Sequence, residues 1–249
     1  SEMLLEDPKI DLAQRSRFLG IIVSEAVRLS RLINQILDLA KLESGRAEWT
    51  VAAVDVAEVI REAAESLTVL FAEKRVALEL DACEDGLIVL ADRDRLMQVM
   101  VNLLSNALKF VPAESGHVKV GAGGTANEVR VSVTDNGPGV QAEDQDMIFD
   151  KFRQGAGTAD VLTDKPQGTG LGLPISRQII EYLNGRLWVE STLGAGACFV
   201  FTLPRQTGDN DQIPPRDTVP GGGRGHIPPV GDTFPRGSRG QNKSTGGVP

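Results

Sequence analysis

The stretch Arg95-Leu96-Met97-Gln98-Val99-Met100-Val101-Asn102-Leu103-Leu104-Ser105-Asn106-Ala107-Leu108-Lys109-Phe110 decides how the rest of the chain is read. Leu96, Val99, Met100, Leu103 and Ala107 return at three- and four-residue steps, the spacing of one buried helix stripe. Gln98, Asn102, Asn106 and Lys109 keep the same spacing on another side. Solvated helix faces favour Glu, Lys and Arg, because Asn competes for backbone hydrogen bonds and has mediocre helix propensity. An amide on every turn, closing on a lysine and an aromatic, reads as a wall of hydrogen-bonding groups for a hydrated cation and phosphate oxygens. The plainer alternative is a helix that tolerates a few asparagines, and the flanking sequence decides between them.

Outward from this helix, Asp92 is placed to cap its start. Upstream, Val76 to Leu80 and Leu87 to Leu90 predict a hairpin turning at Glu84-Asp85-Gly86. Trp49 to Val54 alternates like a strand, and Asp55 is a candidate N-cap for a helix through Lys74. From about Leu5 to Glu48 one long helix is predicted. Phe18, Ile22, Leu29, Leu32, Ile36 and Leu39 form its near-heptad seam. That seam is too apolar for a lone helix in water, so pairing with another helix is expected.

Downstream, Val118 to Val120 and Val129 to Val133 alternate as strands. A helix from about Gly172 to Asn184, stopped by Gly185, precedes strands at Leu187 to Glu190 and Cys198 to Leu203. Helices and strands are mixed rather than strictly alternating. The expected fold is therefore α+β, with helices layered on one face of a mixed, largely antiparallel sheet. Beyond Gln206 glycine and proline dominate, and such a stretch buries too little apolar surface to offset chain entropy. The expected division is residues 1–48 as a long helical segment, 49–205 as the main domain and 206–249 as a disordered tail.

At 249 residues, with a net charge of −8 and a pI near 4.9, the chain is unsuited to nonspecific binding of nucleic acid or an anionic membrane surface. No run of about 18 apolar residues is present, and the acidic N-terminus lacks a signal peptide, so no membrane contact by this segment is expected. Cys83 and Cys198 have neither metal-ligand spacing nor a disulfide framework, which points to a reducing, cytoplasmic setting. A longer parent could still be membrane-anchored.

Two glycine-rich segments carry the remaining chemistry. Asp135-Asn136-Gly137-Pro138-Gly139 follows a strand; alone it reads as a tight turn. A carboxylate fixed at that strand end can accept a hydrogen bond from an exocyclic amine, and Gly137 and Gly139 let backbone approach a flat ring. Gly168-Thr169-Gly170-Leu171-Gly172-Leu173 offers exposed N–H groups directly before a helix start, which suits phosphate. It is neither a P-loop nor a dinucleotide fingerprint, and in isolation a flexible hinge remains the alternative. The polar stretch from Gln141 to Gln167 would then act as a lid.

In order and spacing these elements resemble the ATP-binding domain of sensor histidine kinases, within the wider gyrase, MutL and heat-shock chaperone ATPases. Asn102 to Phe110 is similar to that family's Asn box, and Asp135 to Gly139 to its first glycine box. Ile148-Phe149-Asp150-Lys151-Phe152 is similar to its Phe box, Gly168 to Leu173 to its second glycine box, and Gly194 to Phe199 to its closing glycine–strand element. The resemblance covers about Phe18 to Pro204.

It implies that the chain binds ATP and Mg, with Asn106 coordinating the metal and Asn102 supporting the same cluster. Lys109 would meet the phosphates and Phe110 would lie against the nucleotide. Asp135 would bind the adenine amine, Gly137 and Gly139 would shape the base pocket, and Gly168, Thr169, Gly170, Leu171 and Gly172 would wrap the triphosphate. Phe149 and Phe152 are expected to anchor the lid.

The hydrolysing branches of the family place a glutamate one turn before the metal-binding Asn; this chain has Asn102 there, and an amide cannot take a proton. Gln98 cannot serve as base either. Slow water attack suits an enzyme that saves its phosphoryl group for another acceptor. Leu37 to Gly45 resembles the end of the second helix of the kinase dimerisation hairpin, whose first helix carries the acceptor histidine. The histidines present, His117 and His226, lack that motif. The resemblance therefore implies phosphoryl transfer from ATP to a histidine outside this chain. Its implied partners are a second copy in a homodimer through the hairpin and a response regulator receiver domain. A catalytically silent nucleotide-binding module and a gyrase-type ATPase are the alternatives.

Overall fold

Apolar alternation and capping aspartates lay out the chain. A computed structural model describes residues 12–83, 86–153 and 169–206. The helices are α1 (Leu12–Glu43), α2 (Val56–Lys74), α3 (Arg93–Phe110) and α4 (Gly172–Tyr182). The strands are β1 (Val51–Asp55), β2 (Ala77–Cys83), β3 (Ile88–Asp92), β4 (His117–Gly124), β5 (Glu128–Asp135), β6 (Arg186–Ser191) and β7 (Ala197–Pro204). A single 3-10 turn, Met147–Phe149, lies between β5 and α4. The predicted tail, beyond Gln206, lies outside the described residues.

β2, β4, β5, β7 and β6 form one sheet in that order; only the β2–β4 pair is parallel. Alternation along β4 and β5 sends Val118, Val120, Val129, Val131 and Val133 to one fully buried face. Phe199, Phe201, Leu187 and Leu203 continue that face and pack with Ile60, Leu103 and Ile179 from α2, α3 and α4. Lys119, Arg130, Thr134 and Trp188 stand on the other, open side. The architecture is the expected two-layer α+β arrangement.

The hairpin predicted between Val76 and Leu90 does not form. β2 pairs in parallel with β4, from Ala77↔His117 onward, whereas β3 pairs antiparallel with β1 in a separate two-stranded ribbon. Turn-forming residues at 84–86 allow a reversal but do not choose the partner. The apolar residues Leu87, Val89 and Ala91 are buried beside Val54 of β1, and that contact decides.

Both strands of the ribbon end in an aspartate that caps the following helix. Asp55 Oδ1 accepts from Ala57 N at 2.9 Å, and Asp92 Oδ1 accepts from Asp94 N at 3.1 Å and Arg95 N at 3.2 Å. Their second oxygens reach across: Asp55 Oδ2 accepts from Gly86 N, just before β3, and Asp92 Oδ2 from Thr50 N, just before β1. Each cap, worth about 1 kcal/mol in such positions, thus also fastens the opposite strand's entry.

α1 ends near the expected Ser44-Gly45, with Gly45 at φ +66°. Its seam is mostly open: Phe18, Ile22, Leu29 and Ile36 are exposed, while Leu39 is buried in the core cluster of the main domain. A stripe of polar residues fastens α1 instead. Arg95 Nη1 donates to Asp38 Oδ1 and Oδ2 at 2.6 and 2.7 Å, and Gln98 Nε2 donates to Asp38 Oδ2 at 3.0 Å. Glu43 accepts from Gln178 and pairs with Lys151. The segment after α1 is held by Trp49, whose ring stacks on Tyr182 with centroids 3.8 Å apart.

Candidate functional site

α3 positions the site. Its stripe of Leu96, Val99, Met100, Leu103 and Ala107 is buried as predicted, Leu104 is buried beside it, and Asn102, Asn106 and Lys109 are left half-buried on the adjoining face. From Asn102 to Phe110 the helix advances about 12 Å, and a different loop meets each end of that span.

At the Asn102 end, Asn102 Nδ2 donates to Gly172 O at 3.4 Å and to the fully buried Ser176 Oγ at 3.3 Å. Both donors of this amide are engaged on the first turn of α4, so its oxygen is the group left for a ligand. The start of α4 carries no side-chain cap. A helix start of this kind presents N–H groups and the positive end of its dipole. Thr169 Oγ1 accepts from Leu171 N at 3.3 Å and donates to Gln35 Oε1 of α1 at 2.6 Å. The Leu171 side chain is fully buried in the core, so only its backbone faces this region. Gly170, at φ +70°, accepts from Phe152 N at 3.1 Å, and a Cβ there would sit 2.9 Å from Arg153 O. Gly168 lies outside the described residues, as does most of the expected lid.

At the Phe110 end, the turn after β5 comes up against the helix. Asp135 is buried, and its Oδ1 accepts from Gly137 N at 2.8 Å. Burial pushes the Asp135 carboxyl above the ordinary carboxylate range, against the opposing pull of the Gly137 and Ala197 N–H groups. A Cβ on Gly137 would meet Asp135 Oδ1 at 2.8 Å and Phe110 O at 3.2 Å; one on Gly139 would meet Thr192 O at 2.3 Å. At Gly139 the Thr192 backbone leaves no room for a side chain, and at Gly137 a side chain would crowd the Asp135 carboxylate and the Phe110 carbonyl. Gly196, at φ +87°, closes the turn from behind, where a Cβ would lie 2.0 Å from Asp135 O.

Lys109 lies between the two ends. Burial lowers its pKa, and its ammonium sits 4.7 Å from the Phe110 ring centroid. Phe110 itself is 46% exposed, an aromatic plate left open beside Asp135 and Gly137. Of the expected lid anchors, Phe149 is buried with Arg177 over its ring at 5.3 Å, but Phe152 is 61% exposed at φ 60° and anchors nothing among the described residues.

A groove of about 610 Å³ opens away from this surface, along α1, with Asp38 and Gln98 in its walls but none of Asn106, Asp135 or Gly170. Periodicity missed Ser176 and Lys74. Ser176 reads in sequence as a helix serine, and only its burial beside Asn102 singles it out.

The donor set suits a hard cation held together with phosphate oxygens. Magnesium keeps several waters and takes one or two protein oxygens besides those of its substrate, so a carboxamide such as Asn106 suffices. No cluster of three or more His, Cys, Asp or Glu residues exists among the described residues to build an all-protein cage.

Residues 91–207 match the family described as histidine kinase-, DNA gyrase B- and HSP90-like ATPase, and residues 1–45 match the His Kinase A (phospho-acceptor) domain. The adaptive-response sensory kinase SasA of Parasynechococcus marenigrum (strain WH8102) is 32% identical, over 84% of this chain and 54% of its own length. Among solved structures, full-length ShkA in complex with AMPPNP superposes with a TM-score of 0.67 at 32% identity, over 82% of this chain and 41% of that one. The nucleotide-free catalytic domain of histidine kinase ThkA gives 0.54 at 30% identity, over 63% of this chain and 98% of that one. The chain spans about half the length, or less, of the curated relatives it matches.

Proposed function

The chain belongs to the sensor histidine kinases, as an ATP-binding catalytic domain with part of the helical hairpin, and from that membership we propose that it transfers the γ-phosphoryl of ATP to a histidine on another segment. The single observation carrying this reading is the half-buried amide and lysine face of α3, joined at one end to an uncapped helix start and at the other to a buried carboxylate. In this reading Asp135 accepts from the adenine amine, and Gly137 and Gly139 admit the ring beside Phe110. Gly168 to Gly172 supply backbone N–H groups to the phosphates, with Thr169 orienting the turn. Lys109 adds positive charge.

Asn106 would hold magnesium through its amide oxygen, and Asn102, its nitrogen engaged on α4, would offer its oxygen to the same cluster. Magnesium, when bound, neutralises charge on the β- and γ-phosphates. The γ-phosphorus breaks its bond to the bridging oxygen as it bonds to an imidazole nitrogen, and ADP leaves. With Asn102 where a water-activating glutamate would stand, hydrolysis is slow.

Residues 1–48 serve as part of the hairpin, 49–205 as the catalytic domain and 206–249 as a tail. The open α1 seam favours a homodimer in the whole protein, whose phosphorylated histidine passes its group to a response regulator. The setting is cytoplasmic; no described helix is long and apolar enough to cross a membrane.

Labelled ATP, magnesium and a separately purified acceptor hairpin test the transfer. Acid-labile, base-stable label on the hairpin is the expected result. Nucleotide binding without label on the hairpin would reduce the chain to a silent nucleotide-binding module.

A further inference from the structure

A lysine closing a helix ordinarily sits in water beside its own helix's last carbonyls. Lys74, the last residue of α2, does otherwise. Its ammonium crosses to α3 and donates to Leu108 O at 2.6 Å, Val111 O at 2.7 Å and Lys109 O at 3.2 Å. All three of its N–H groups are engaged there. The final carbonyls of a helix have no partner inside the helix, so one ammonium satisfies groups that would otherwise turn to water. Burial holds the Lys74 pKa below the ordinary lysine range. The loop after α3 is fastened to the same residue, since Glu114 N donates to Lys74 O at 3.2 Å.

The carbonyls gripped by Lys74 lie on both sides of Phe110. The Phe110 carbonyl itself is left out of the grip, and it is the one that faces Gly137 across the space where a Cβ would come within 3.2 Å. Gly137 N in turn holds Asp135 Oδ1. Lys74, the end of α3 with Lys109, and the turn that holds the buried carboxylate therefore lie in one neighbourhood, with Phe110 O close to Gly137. The cation touches no part of the site's open surface residues Asn106 or Phe110 by any hydrogen bond among the described residues.

We propose that Lys74 is a positioning residue of the nucleotide site, pinning the carbonyl end of α3 so that Lys109, Phe110 and the Asp135–Gly137 turn keep their mutual spacing. The proposal rests on the nucleotide-binding reading above. Lys74 acts through the backbone and does not touch the ligand. Its loss lets the last turn of α3 fray, and both the base side and the phosphate side of the site loosen together.

The test uses the full chain with Lys74→Met, Lys74→Arg and a control, Leu67→Ala, which removes a buried side chain two turns earlier on α2. Calorimetry measures the affinity for ADP and for a non-hydrolysable ATP analogue with magnesium, and thermal melting measures stability. K74M is expected to weaken both affinities about tenfold, the effect of losing one charge-assisted contact. K74R, which keeps charge and donors, recovers at least half of that loss. L67A lowers the melting temperature as much or more and leaves the affinity of the folded protein unchanged. Should K74M fail to fold, Lys74→Gln replaces it with the same readings.

Unchanged affinity in the folded Met or Gln variant overturns the proposal, as does an Arg variant no better than Met. So does an L67A that loses affinity in step with its stability. If the unaltered chain binds neither nucleotide, the site reading itself fails and this one with it.

Discussion

α1 and α3 carry apolar stripes of comparable regularity and end in opposite surroundings. On α3, Leu96, Val99, Met100, Leu103 and Leu104 are all fully buried; on α1, Phe18, Ile22, Leu29 and Ile36 remain 40 to 57% exposed. The helices themselves do not account for the difference. α3 lies in the same core cluster as Ile60 and Leu67 of α2, Ile175 and Ile179 of α4, and the inner face of the sheet. α1 meets the catalytic layer only toward its C-terminal end, through Leu39, the partly buried Leu32 and Leu42, and a polar stripe of Gln35, Asp38 and Glu43. A stripe's period is a local property. Its cover depends on what the rest of the chain, or another chain, brings to it.

The comparison breaks first at Leu103. Truncation to Ala should cost about 2–5 kcal/mol in urea unfolding, since Leu103 is sealed between helices and sheet. A loss below about 1 kcal/mol would mean that the α3 stripe is no better covered than that of α1.

The turn after β5, which meets the end of α3, gives the next largest effect. Asp135→Asn should weaken adenine-nucleotide affinity about tenfold or more, because a charge-assisted acceptor is replaced by a neutral amide. The same change should leave the melting temperature level or raise it, since burial already disfavours the ionised carboxyl. The sign follows from linkage. The folded-state pKa of Asp135 is raised, so its contribution to stability is full below the unfolded value and is lost as pH rises through the folded value. Acidifying from neutrality toward that raised pKa should protonate the carboxyl and weaken nucleotide binding while stabilising the fold at this position. Calorimetric titrations at several pH values, beside the Asn variant, check both halves.

The smallest effect belongs to α1. Ile22→Ser should change the stability of the lone chain by no more than about 0.5 kcal/mol, measured in the same urea series as L103A. The same variant should reduce self-association in sedimentation if the seam pairs with another helix. A large stability loss without a change in association would show that the seam is covered from within the chain.

Much of this was legible in the order of residues, and the rest fails for identifiable reasons. Asp55 and Asp92 could be assigned as caps because a cap acts on amides two or three residues away. The stripe on α3 was readable because its period spans a single helix. The β2–β3 hairpin was misread because β2 finds its partner in β4, whose pairing joins Ala77 to His117, and no local signal names that partner. Nothing local marks Asp38 and Glu43 in the sequence, yet they reach Arg95, Gln98, Lys151 and Gln178. In the site, the glycines at 137 and 139 were read as admitting a flat ring, whereas the close neighbours the fold gives them are Asp135, Phe110 and Thr192. Lys74 was invisible for the opposite reason. A lysine ending a helix is so common that only its three acceptors on another helix distinguish it.

The crossed aspartates of the β1–β3 ribbon behave like a parity check. A slip of one residue would turn Val54, Val89 and Ala91 to the wrong side. It would also draw both carboxylates away from the amides they hold, at the two helix starts and at the two strand entries. One displaced digit thus registers as several simultaneous faults. Faithful alignment of α2 with α3 is secured by redundancy in small signals, and no single strong bond has to enforce it.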